Sequence, residues 1–578
     1  MKHTIGAALF MAAVFPVLAY AMPDTVYVPG YFESGNAEGT LNTAVTNAIN
    51  AGTLSTTVFK LKTFEQYVLT ATITVPAGQH LTIVADDPGL TATEAPPQIW
   101  WSPSGGTLGV FNFDCFGDIT LKNIWLLYFN GLSQLQMSLK IEDSPDTING
   151  QHGTFENVIF DYSEIGADGS GAVSVAARHF RGSFTNCYFR NCTDFHFRYY
   201  GRAVSFPFNS SGWHNDSLRF VNCTFANLGY VLMHEGSQYT DFLSFNHCTF
   251  INTVQFMLEN PWWYWLSITN SVIVNTFMYG DLGTDRPESG TFDLDSVSNF
   301  GFTPPFTDAQ RHILFTNSAY CVEPWLVDYY THNSYSDTAA ADQIPRPQPM
   351  LNSRALMFFD TTDEQGNKSY PYMNRANLYD GVNPNFLLAP TNVDSIKLFL
   401  YYKWTNNADV NWAFNPGAAI SQQWQLPENL RIGNATLRTA AMGGFPLGDL
   451  FRWESKSKYN QWKAQEATED AQITAWLTNG MTDVAERLGL PTRFELGQNY
   501  PNPFNPTTKI DYAVGQTGPV SLKVYDLLGQ EVATLFNGEQ RIGSYTAEFD
   551  GTNLASGVYI YRLQSGTYSL SKKLVLMK

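Results

Sequence analysis

The stretch FTNCYFR at 184–190 returns as FVNCTFA at 220–226 and as FNHCTFI at 245–251. Shorter copies of its first four positions occur at 121–124, 155–158, 268–271 and 315–318, and His247 once replaces the asparagine. Intervals of 23 to 47 residues between copies are typical of solenoid repeats. Apolar residues alternate within each copy, and no helix-length amphipathic stretch separates the copies. The pattern therefore predicts a parallel β-helix in which each copy is one coil.

The repeated asparagine is predicted to lie at a bend between two strands. Stacked coils lie about 4.8 Å apart, so each side-chain amide can bond its counterpart one coil away. Each such bond contributes on the order of 1 kcal/mol. The predicted structural ladder consists of Asn123, Asn157, Asn186, Asn222, Asn270 and Asn317. The next position holds Cys187, Cys223 and Cys248, which we interpret as small buried thiols rather than disulfides.

Residues 40–84 are predicted to begin the same solenoid. Apolar residues at helical spacing in 40–51 predict a short amphipathic helix that caps the open end of the coils. Strands are expected at 57–61, 67–75 and 81–84. A capping helix followed by β-coils resembles the pectate-lyase-like right-handed parallel β-helix superfamily, over about residues 25 to 335. The resemblance implies a fold and no single activity, because that superfamily includes lyases, hydrolases, adhesins and phage tail proteins.

The beginning of the chain predicts export. Lys2 and His3 precede an apolar run to Leu18, and small residues follow, so residues 1–21 are interpreted as a secretory signal peptide cleaved after Ala21. The run is too short for a membrane span, and no later stretch approaches that length, so we expect no transmembrane segment. The net charge of -18 argues against a nucleic-acid partner, because phosphates would be repelled.

Residues 336–491 follow the predicted β-helix of residues 22–335 and are less regular. Pro345, Pro347 and Pro349 interrupt regular structure. The pattern favours a strand at 394–400 and has helical character at 469–490. We expect an irregular, loop-rich region with a C-terminal cap packed against the solenoid.

The string LGQNYPNPFNP at 496–506 introduces the last predicted domain, residues 494–578. Short alternating strands with glycine turns follow and predict a small antiparallel β-sandwich, which alone would also suit a carbohydrate-binding or immunoglobulin-like module. NYPNPFNP, VYDLLGQEV at 524–532 and LASGVYIYRL at 554–563 with the closing KKLVLMK together resemble the type A C-terminal sorting domain of type IX secretion cargo. The resemblance implies two partners, the type IX machinery and its C-terminal signal peptidase. It also implies an extracellular or outer-membrane surface location after the tail is removed.

One outer face of the predicted coils is a candidate binding surface. If Phe195, Val231 and Phe256 point inward, their outward neighbours form rows along consecutive coils. The rows bring Arg198, His234 and Glu259 into register. The candidate ligand-binding residues are Asp194, His196, Arg198, His234, Glu259, Trp262, Trp263 and Trp265. The competing interpretation is a solvated face whose cross-strand pairs each contribute about a few tenths of a kcal/mol, with tryptophans that pack a loop.

The sequence contains no recognisable catalytic set. Neither the paired carboxylates of hydrolases nor the calcium-binding carboxylates of lyases form a clear pattern, and zinc and nucleophile motifs are not evident. Catalytic residues stay unassigned and no metal or other cofactor is expected, although a lyase would call for calcium. Two main functions remain open. One is a secreted or cell-surface β-helix with a binding or structural role, such as an adhesin, with polysaccharide as a candidate partner. The other is an extracellular polysaccharide lyase or glycoside hydrolase.

Overall fold

The computed structural model describes two compact units, Met1–Gly480 and Met481–Lys578. The described residues are 24–86, 95–101, 111–127, 137–144, 150–161, 171–192, 201–206, 213–234, 238–259, 263–280, 290–299, 304–390, 392–405, 424–480, 495–514, 518–540, 543–565 and 568–578. The predicted signal peptide, residues 1–21, lies outside them.

The first unit is built mainly from short strands. In chain order these are β1 (Asp24–Tyr27), β2 (Thr57–Leu61), β3 (Gln66–Leu69), β4 (Ile73–Val75), β5 (His80–Ala85), β6 (Gln98–Trp101), β7 (Phe111–Cys115), β8 (Asp118–Lys122), β9 (Trp125–Leu127), β10 (Met137–Glu142), β11 (His152–Glu156), β12 (Ile159–Asp161), β13 (Val173–Ala176), β14 (Arg181–Thr185), β15 (Tyr188–Cys192), β16 (Arg202–Phe206), β17 (His214–Val221), β18 (Thr224–Leu228), β19 (Tyr230–His234), β20 (Tyr239–Asn246), β21 (Thr249–Thr253), β22 (Leu258–Glu259), β23 (Trp265–Thr269), β24 (Val272–Val274), β25 (His312–Cys321), β26 (Met373–Asp380), β27 (Phe386–Leu388) and β28 (Asn429–Ile432). The helices are α1 (Thr40–Ala51), α2 (Pro324–Thr331), α3 (Ser353–Asp360), α4 (Val393–Trp404), α5 (Leu450–Trp453), α6 (Lys456–Lys463) and α7 (Glu466–Asn479).

The strands coil into three faces, which confirms the predicted parallel β-helix. A 19-stranded parallel sheet bends into two of them. Its first face stacks β1, β2, β5, β8, β11, β14, β17, β20 and β23, and its second face stacks β3, β6, β9, β12, β15, β18, β21 and β24. The long strands β25 and β26 cross both faces, so the stack continues to Asp380, beyond the predicted boundary at 335. A 7-stranded sheet forms the third face and runs from β4 to β22.

The predicted N-terminal elements are present. Helix α1 has the predicted bounds and buries Leu41, Val45 and Ala48 in the core of the coils. Strand β2 coincides with its prediction, whereas the single strand expected at 67–75 is divided between β3 and β4. The division is a corner of the coil, because β3 belongs to the second face and β4 to the third.

Phenylalanine rings stack through the core. Phe155, Phe184, Phe220 and Phe245 form one column, with adjacent ring centroids 4.6, 4.7 and 4.8 Å apart. Phe160, Phe189, Phe225 and Phe250 form a second column at 4.5, 5.2 and 5.0 Å. The spacing matches the separation of adjacent strands, so a ring repeated once per coil meets its counterpart face to face. The aromatic repeat in the sequence thus becomes a continuous internal stack.

The repeated asparagines lie at two bends of the coil and adopt the left-handed backbone conformation. The first row lies at the bend between the first and second faces, and His247 takes the place of asparagine in one coil. The φ angles of this row are 49° to 59°, at Asn123, Asn157, Asn186, Asn222, His247, Asn270 and Asn317. The second row has φ from 50° to 59° at Asn191, Asn227, Asn252 and Asn275. Asparagine is among the few non-glycine residues that visit this region readily, which gives a second reason for its repetition.

The two asparagine rows differ in their hydrogen bonds. In the second row each amide donates to the preceding coil, from Asn275 to Asn252 to Asn227 to Asn191, always at 3.2 Å. In the first row such a bond joins only Asn157 to Asn123 among the described residues, at 3.0 Å. The side chains of Asn186, Asn222 and Asn317 instead bond Tyr459, Leu450 and Ala440. The first row therefore anchors a later segment of the chain as well as neighbouring coils.

Replacing Asn252 tests the two roles of the asparagine separately. We expect Asn252→Ala to destabilise the first unit by about 2–3 kcal/mol, because alanine resists a φ of 59° and the ladder loses its bonds to Asn227 and Asn275. Asn252→Gly should cost about 1 kcal/mol less, because glycine accepts the backbone conformation. Chemical denaturation of the two variants measures the difference. Equal losses would contradict a conformational role for this residue.

All six cysteines are buried free thiols. Cys187, Cys223 and Cys248 occupy one position in successive coils, and each thiol lies 3.3 to 3.5 Å from a carbonyl oxygen of the preceding coil. Burial raises the pKa of Cys187 and of Cys223 well above the usual value for a thiol. These side chains act as small packing groups at the bend.

Residues 424–480, which we call the flank segment, pack along the side of the coils. The outward side chains of the second face are buried beneath this segment: Trp125, Ile159, Tyr188, Ala226, Ile251, Val272, Val274 and Ala319. The flank segment contributes Leu430, Ile432, Leu437, Ala440, Ala441, Phe445, Leu447, Leu450 and Trp462 to the same cluster. The expectation placed a cap here, whereas the segment runs lengthwise and makes the second face buried on both sides.

The predicted strand at 394–400 is wrong, because these residues form part of helix α4. The Asn392 side chain caps the helix by accepting a hydrogen bond from the Ser395 backbone N–H. Ile396, Phe399 and Leu400 are buried against α2 and the coils. Their spacing suits one helical face, which the short apolar run did not distinguish from a strand. The helical character predicted for 469–490 appears as α7, which ends at Asn479, and residues 481–490 lie outside the described residues.

The second unit is the predicted antiparallel β-sandwich. Its strands are β29 (Glu495–Leu496), β30 (Thr507–Val514), β31 (Gly518–Tyr525), β32 (Glu531–Gln540), β33 (Gly543–Asp550), β34 (Gly557–Ser565) and β35 (Tyr568–Leu576). A 3-stranded sheet, β29-β30-β33, and a 4-stranded sheet, β32-β31-β34-β35, enclose one apolar core. The Asn499 backbone N–H donates to the Tyr561 hydroxyl at 3.0 Å, which ties the proline-rich entry to a central strand.

Candidate functional site

The predicted binding face is only partly within the described residues. Asp194, His196, Arg198 and Trp262 lie outside them, as does the side chain of Glu259. His234 ends β19 and is buried, with Nε2 2.9 Å from the Thr240 hydroxyl and its ring stacked on Phe206. Burial lowers the pKa of His234 to about 3, so the imidazole is neutral. The His234 side chain therefore packs inside the protein and is not an exposed charged group.

The register of the third face differs from the expected rows. His234 of β19 pairs with Phe206 of β16. Glu259 of β22 pairs with Met233 of β19, and not with His234. His234 and Glu259 are therefore one residue out of register and do not form the expected row. Trp263 is also buried, 5.4 Å from the His234 ring. Trp265 is half-buried and belongs to the first face.

The first face carries a row of outward side chains that sequence analysis did not single out. Strand register aligns the first outward position of each coil from β5 to β25. We call this row, with the side chains that precede it in each coil, the ribbon. The aligned row is His80, Asp118, His152, Arg181, Ser217, Phe242, Trp265 and His312, and the preceding side chains are His179, His214, Asp216, Tyr239, Asp241 and Tyr264.

Charged groups concentrate in the middle of the ribbon. His179 Nδ1 lies 2.9 Å from Asp216 Oδ1, and Arg181 Nη2 lies 2.5 Å from the other oxygen of the same carboxylate. His214 Nδ1 lies 3.1 Å from Asp241 Oδ2. The hydrogen bond to Asp241 raises the pKa of His214, against the opposing effect of burial. We call these five residues the His–Asp cluster, and all five are at least partly exposed.

Aromatic rings continue the ribbon beyond the His–Asp cluster. The His214 ring stacks on Tyr239 at 5.1 Å, and Tyr264 stacks on Phe306 at 4.5 Å. The Trp265 ring stacks on the His312 ring at 3.8 Å, and the His312 ring also stacks on Tyr372. The His214, Tyr264, Trp265, His312 and Tyr372 rings are half-buried and reach solvent at their edges and polar tips, whereas Tyr239 and Phe306 are buried and support them.

The sequence contained a signal for this site. His179-x-Arg181, His214-x-Asp216 and Tyr239-x-Asp241 precede three successive copies of the Asn-centred repeat by similar distances. Residues two apart on a strand lie on the same side of the sheet, which places His214 and Asp216 together on β17, whereas His179 lies just before β14. These residues lie in the strand before each repeat or just ahead of it, whereas the predicted rows lie in the strand after the repeat.

A second polar assembly lies beneath the flank segment. Arg190 Nη1 pairs with Asp161 at 3.1 Å and Arg190 Nη2 pairs with Glu428 at 3.1 Å. The Tyr188 hydroxyl donates to Glu428 at 2.8 Å. Burial opposes the charge on Arg190, but Asp161 and Glu428 outweigh it and raise the pKa of the guanidinium. An adjoining cavity of about 180 Å³ is lined by Trp424, Gln425, Leu426, Glu428, Asn429, Arg452 and Trp453.

The comparisons with known proteins concern the second unit. Residues 498–577 match the family described as Secretion system C-terminal sorting domain. No curated protein matches the chain. None of the helices among the described residues is long and apolar enough to cross a membrane. The chain therefore carries the sorting domain of a type IX secretion cargo, which engages the secretion machinery and directs export to the cell surface or the extracellular space.

Proposed function

We propose that the exported β-helix binds polysaccharide at the cell exterior and that the ribbon is its binding surface. The observation that carries the proposal is the row of aromatic and ionisable side chains on consecutive coils, from His80 to His312. An extended polymer lying along the coil axis would meet an equivalent position in every coil, about 4.8 Å apart.

The chemistry of the ribbon suits sugars. Tyrosine and tryptophan combine an apolar ring with a polar tip, which matches the mixed surface of a sugar ring. Arg178 lies over the half-buried Trp213 ring at 4.9 Å and pairs with Asp143, which adds a charged group beside an aromatic one. Ion pairs such as Arg181–Asp216 retain donors and acceptors for hydroxyl groups. A ligand would thus find aromatic edges, polar tips and hydrogen-bonding groups along one line.

Binding to a panel of neutral and uronate polysaccharides tests the proposal. Tyr264→Ala and Arg181→Ala should each weaken binding of the preferred polymer by about tenfold, because each removes one contact worth roughly 1.4 kcal/mol. Tyr27→Ala is the matched control, since Tyr27 is a 74% exposed tyrosine on β1 outside the ribbon. Thermal denaturation checks that the variants are folded. Equal affinity of the wild type and both ribbon variants would remove the ribbon from consideration.

The enzymatic alternative, a polysaccharide lyase or glycoside hydrolase, has the His–Asp cluster in its favour. It places imidazoles beside an arginine and two carboxylates, which are groups that can move a proton and neutralise charge. The same panel separates the two functions. A lyase would release ultraviolet-absorbing unsaturated products from the uronate polymers, with or without calcium, whereas a binding protein would leave every polymer intact.

A further inference from the structure

His179, His214 and Asp216 converge from two adjacent coils of the first face. Each offers one ligand atom, and these atoms lie within 4.8 Å of one another. The His179 backbone N–H donates to the His214 carbonyl at 2.9 Å, and the Asp216 backbone N–H donates to the Phe180 carbonyl at 3.1 Å. The backbone of the solenoid therefore holds the three side chains at one place on the surface.

From this convergence we propose that His179, His214 and Asp216 form a binding site for a divalent transition-metal ion. Zn²⁺ bonds imidazole nitrogen and carboxylate oxygen at about 2.0–2.2 Å, so tetrahedral ligand atoms are roughly 3.3 Å apart. His179 Nδ1 and Asp216 Oδ1 are 2.9 Å apart, and the third atom is within reach of both by side-chain rotation. An ion would replace the proton that now bridges His179 and Asp216.

Asp241 supplies an outer partner of the kind that metal-binding histidines have. Its carboxylate lies 3.1 Å from His214 Nδ1, which leaves Nε2 as the ring nitrogen for an ion. Metal-ligating histidines almost always donate their other N–H to a carboxylate, a carbonyl or water, which fixes the tautomer and the ring orientation. The contact is made across coils, because His214 belongs to β17 and Asp241 to β20.

The composition of the site selects the class of ion. Two imidazoles and one carboxylate favour Zn²⁺ and Cu²⁺ over Ca²⁺ and Mg²⁺, which prefer oxygen ligands alone. Arg181 pairs with Asp216 through Oδ2, so Oδ1 remains for the ion, and Asp241 adds a second negative charge nearby. The proposal is independent of the polysaccharide proposal, because it concerns the ion alone. Bound metal would join two neighbouring coils at their outer surface.

Calorimetric titration of the tag-free full chain with Zn²⁺, Cu²⁺ and Ca²⁺ tests the site. We expect one site for Zn²⁺ and for Cu²⁺ and none for Ca²⁺ at the same concentrations. His179→Ala and His214→Ala should each weaken binding by at least about 100-fold, and Asp241→Asn by about 10- to 100-fold. His332→Ala is the control, because this histidine is 72% exposed on α2's C-terminal side and pairs only locally with Asp328. Its affinity should stay within about twofold of the wild type.

Electron paramagnetic resonance of the Cu²⁺-loaded wild type gives a readout that does not depend on the variants folding. Two coordinating nitrogens and no sulfur are expected, which also distinguishes the site from the buried cysteines. No zinc or copper binding by the wild type would overturn the proposal. Full-strength binding by folded His179→Ala and His214→Ala variants, or a spectrum with fewer than two nitrogens, would overturn it as well.

Discussion

Replacing Arg190 by alanine will lower the free energy of unfolding of the first unit by about 3–5 kcal/mol. The substitution leaves Asp161 and Glu428, whose side chains are fully buried, without the cation between them. Because Glu428 belongs to the flank segment, the loss should also loosen that segment from the coils. Chemical denaturation measures the first effect, and faster proteolytic cleavage within 424–480 reports the second.

An exposed ion pair provides the matched control. Arg375 makes two hydrogen bonds to Asp360, at 3.1 and 2.7 Å, and both side chains are substantially exposed. Arg375→Ala should change the free energy of unfolding by no more than about 1 kcal/mol, because water solvates the carboxylate that remains. Similar losses of unfolding free energy for the two arginine variants would show that burial does not determine how much the Asp161–Arg190–Glu428 network contributes to stability.

Truncating Phe225 to alanine should destabilise the first unit by about 3–5 kcal/mol. The ring lies between Phe189 and Phe250 at centroid distances of 5.2 and 5.0 Å, and it is fully buried. Backbone hydrogen bonds fix the separation of the coils on either side, so the cavity left by the ring cannot close. Thermal or chemical denaturation measures the loss.

Phe32→Ala is the control for this truncation, because Phe32 is 55% exposed and makes an edge contact with Tyr31. Its effect should stay below about 1 kcal/mol, since little apolar area is removed from the core. A loss for Phe225→Ala no larger than for Phe32→Ala would mean that the core readily collapses around the missing ring.

The coiled fold was predictable because its determinants recur at one position per coil. Phe184, Phe220 and Phe245 stand at equivalent places in the sequence and stack directly in the structure. The left-handed bend at each asparagine is the physical requirement behind that pattern, and the amide ladder adds to it in the second row. Helix α1 was equally predictable from the sequence, since the apolar residues of its buried face recur at helical spacing.

The site and the flank segment were not predictable in the same way. Tyr188 bonds Glu428 across 240 residues, and no local pattern links the two positions. The ribbon depends on the register between coils of unequal length, so His214 and Asp241 meet only after the turns between them are fixed. The expected row of His234 and Glu259 differed by one residue from the observed register for the same reason.

The flank segment changes how the solenoid holds together. Coils in a simple repeat protein contact only their nearest neighbours, so stability is a sum of local terms and the ends can fray independently. Here one continuous segment packs on outward residues from Trp125 in an early coil to Ala319 in a late one. If any coil beneath the flank segment opens, that segment also loses packing contacts that it makes with distant coils. A quasi-one-dimensional array thereby acquires the all-or-none cooperativity of a globular domain.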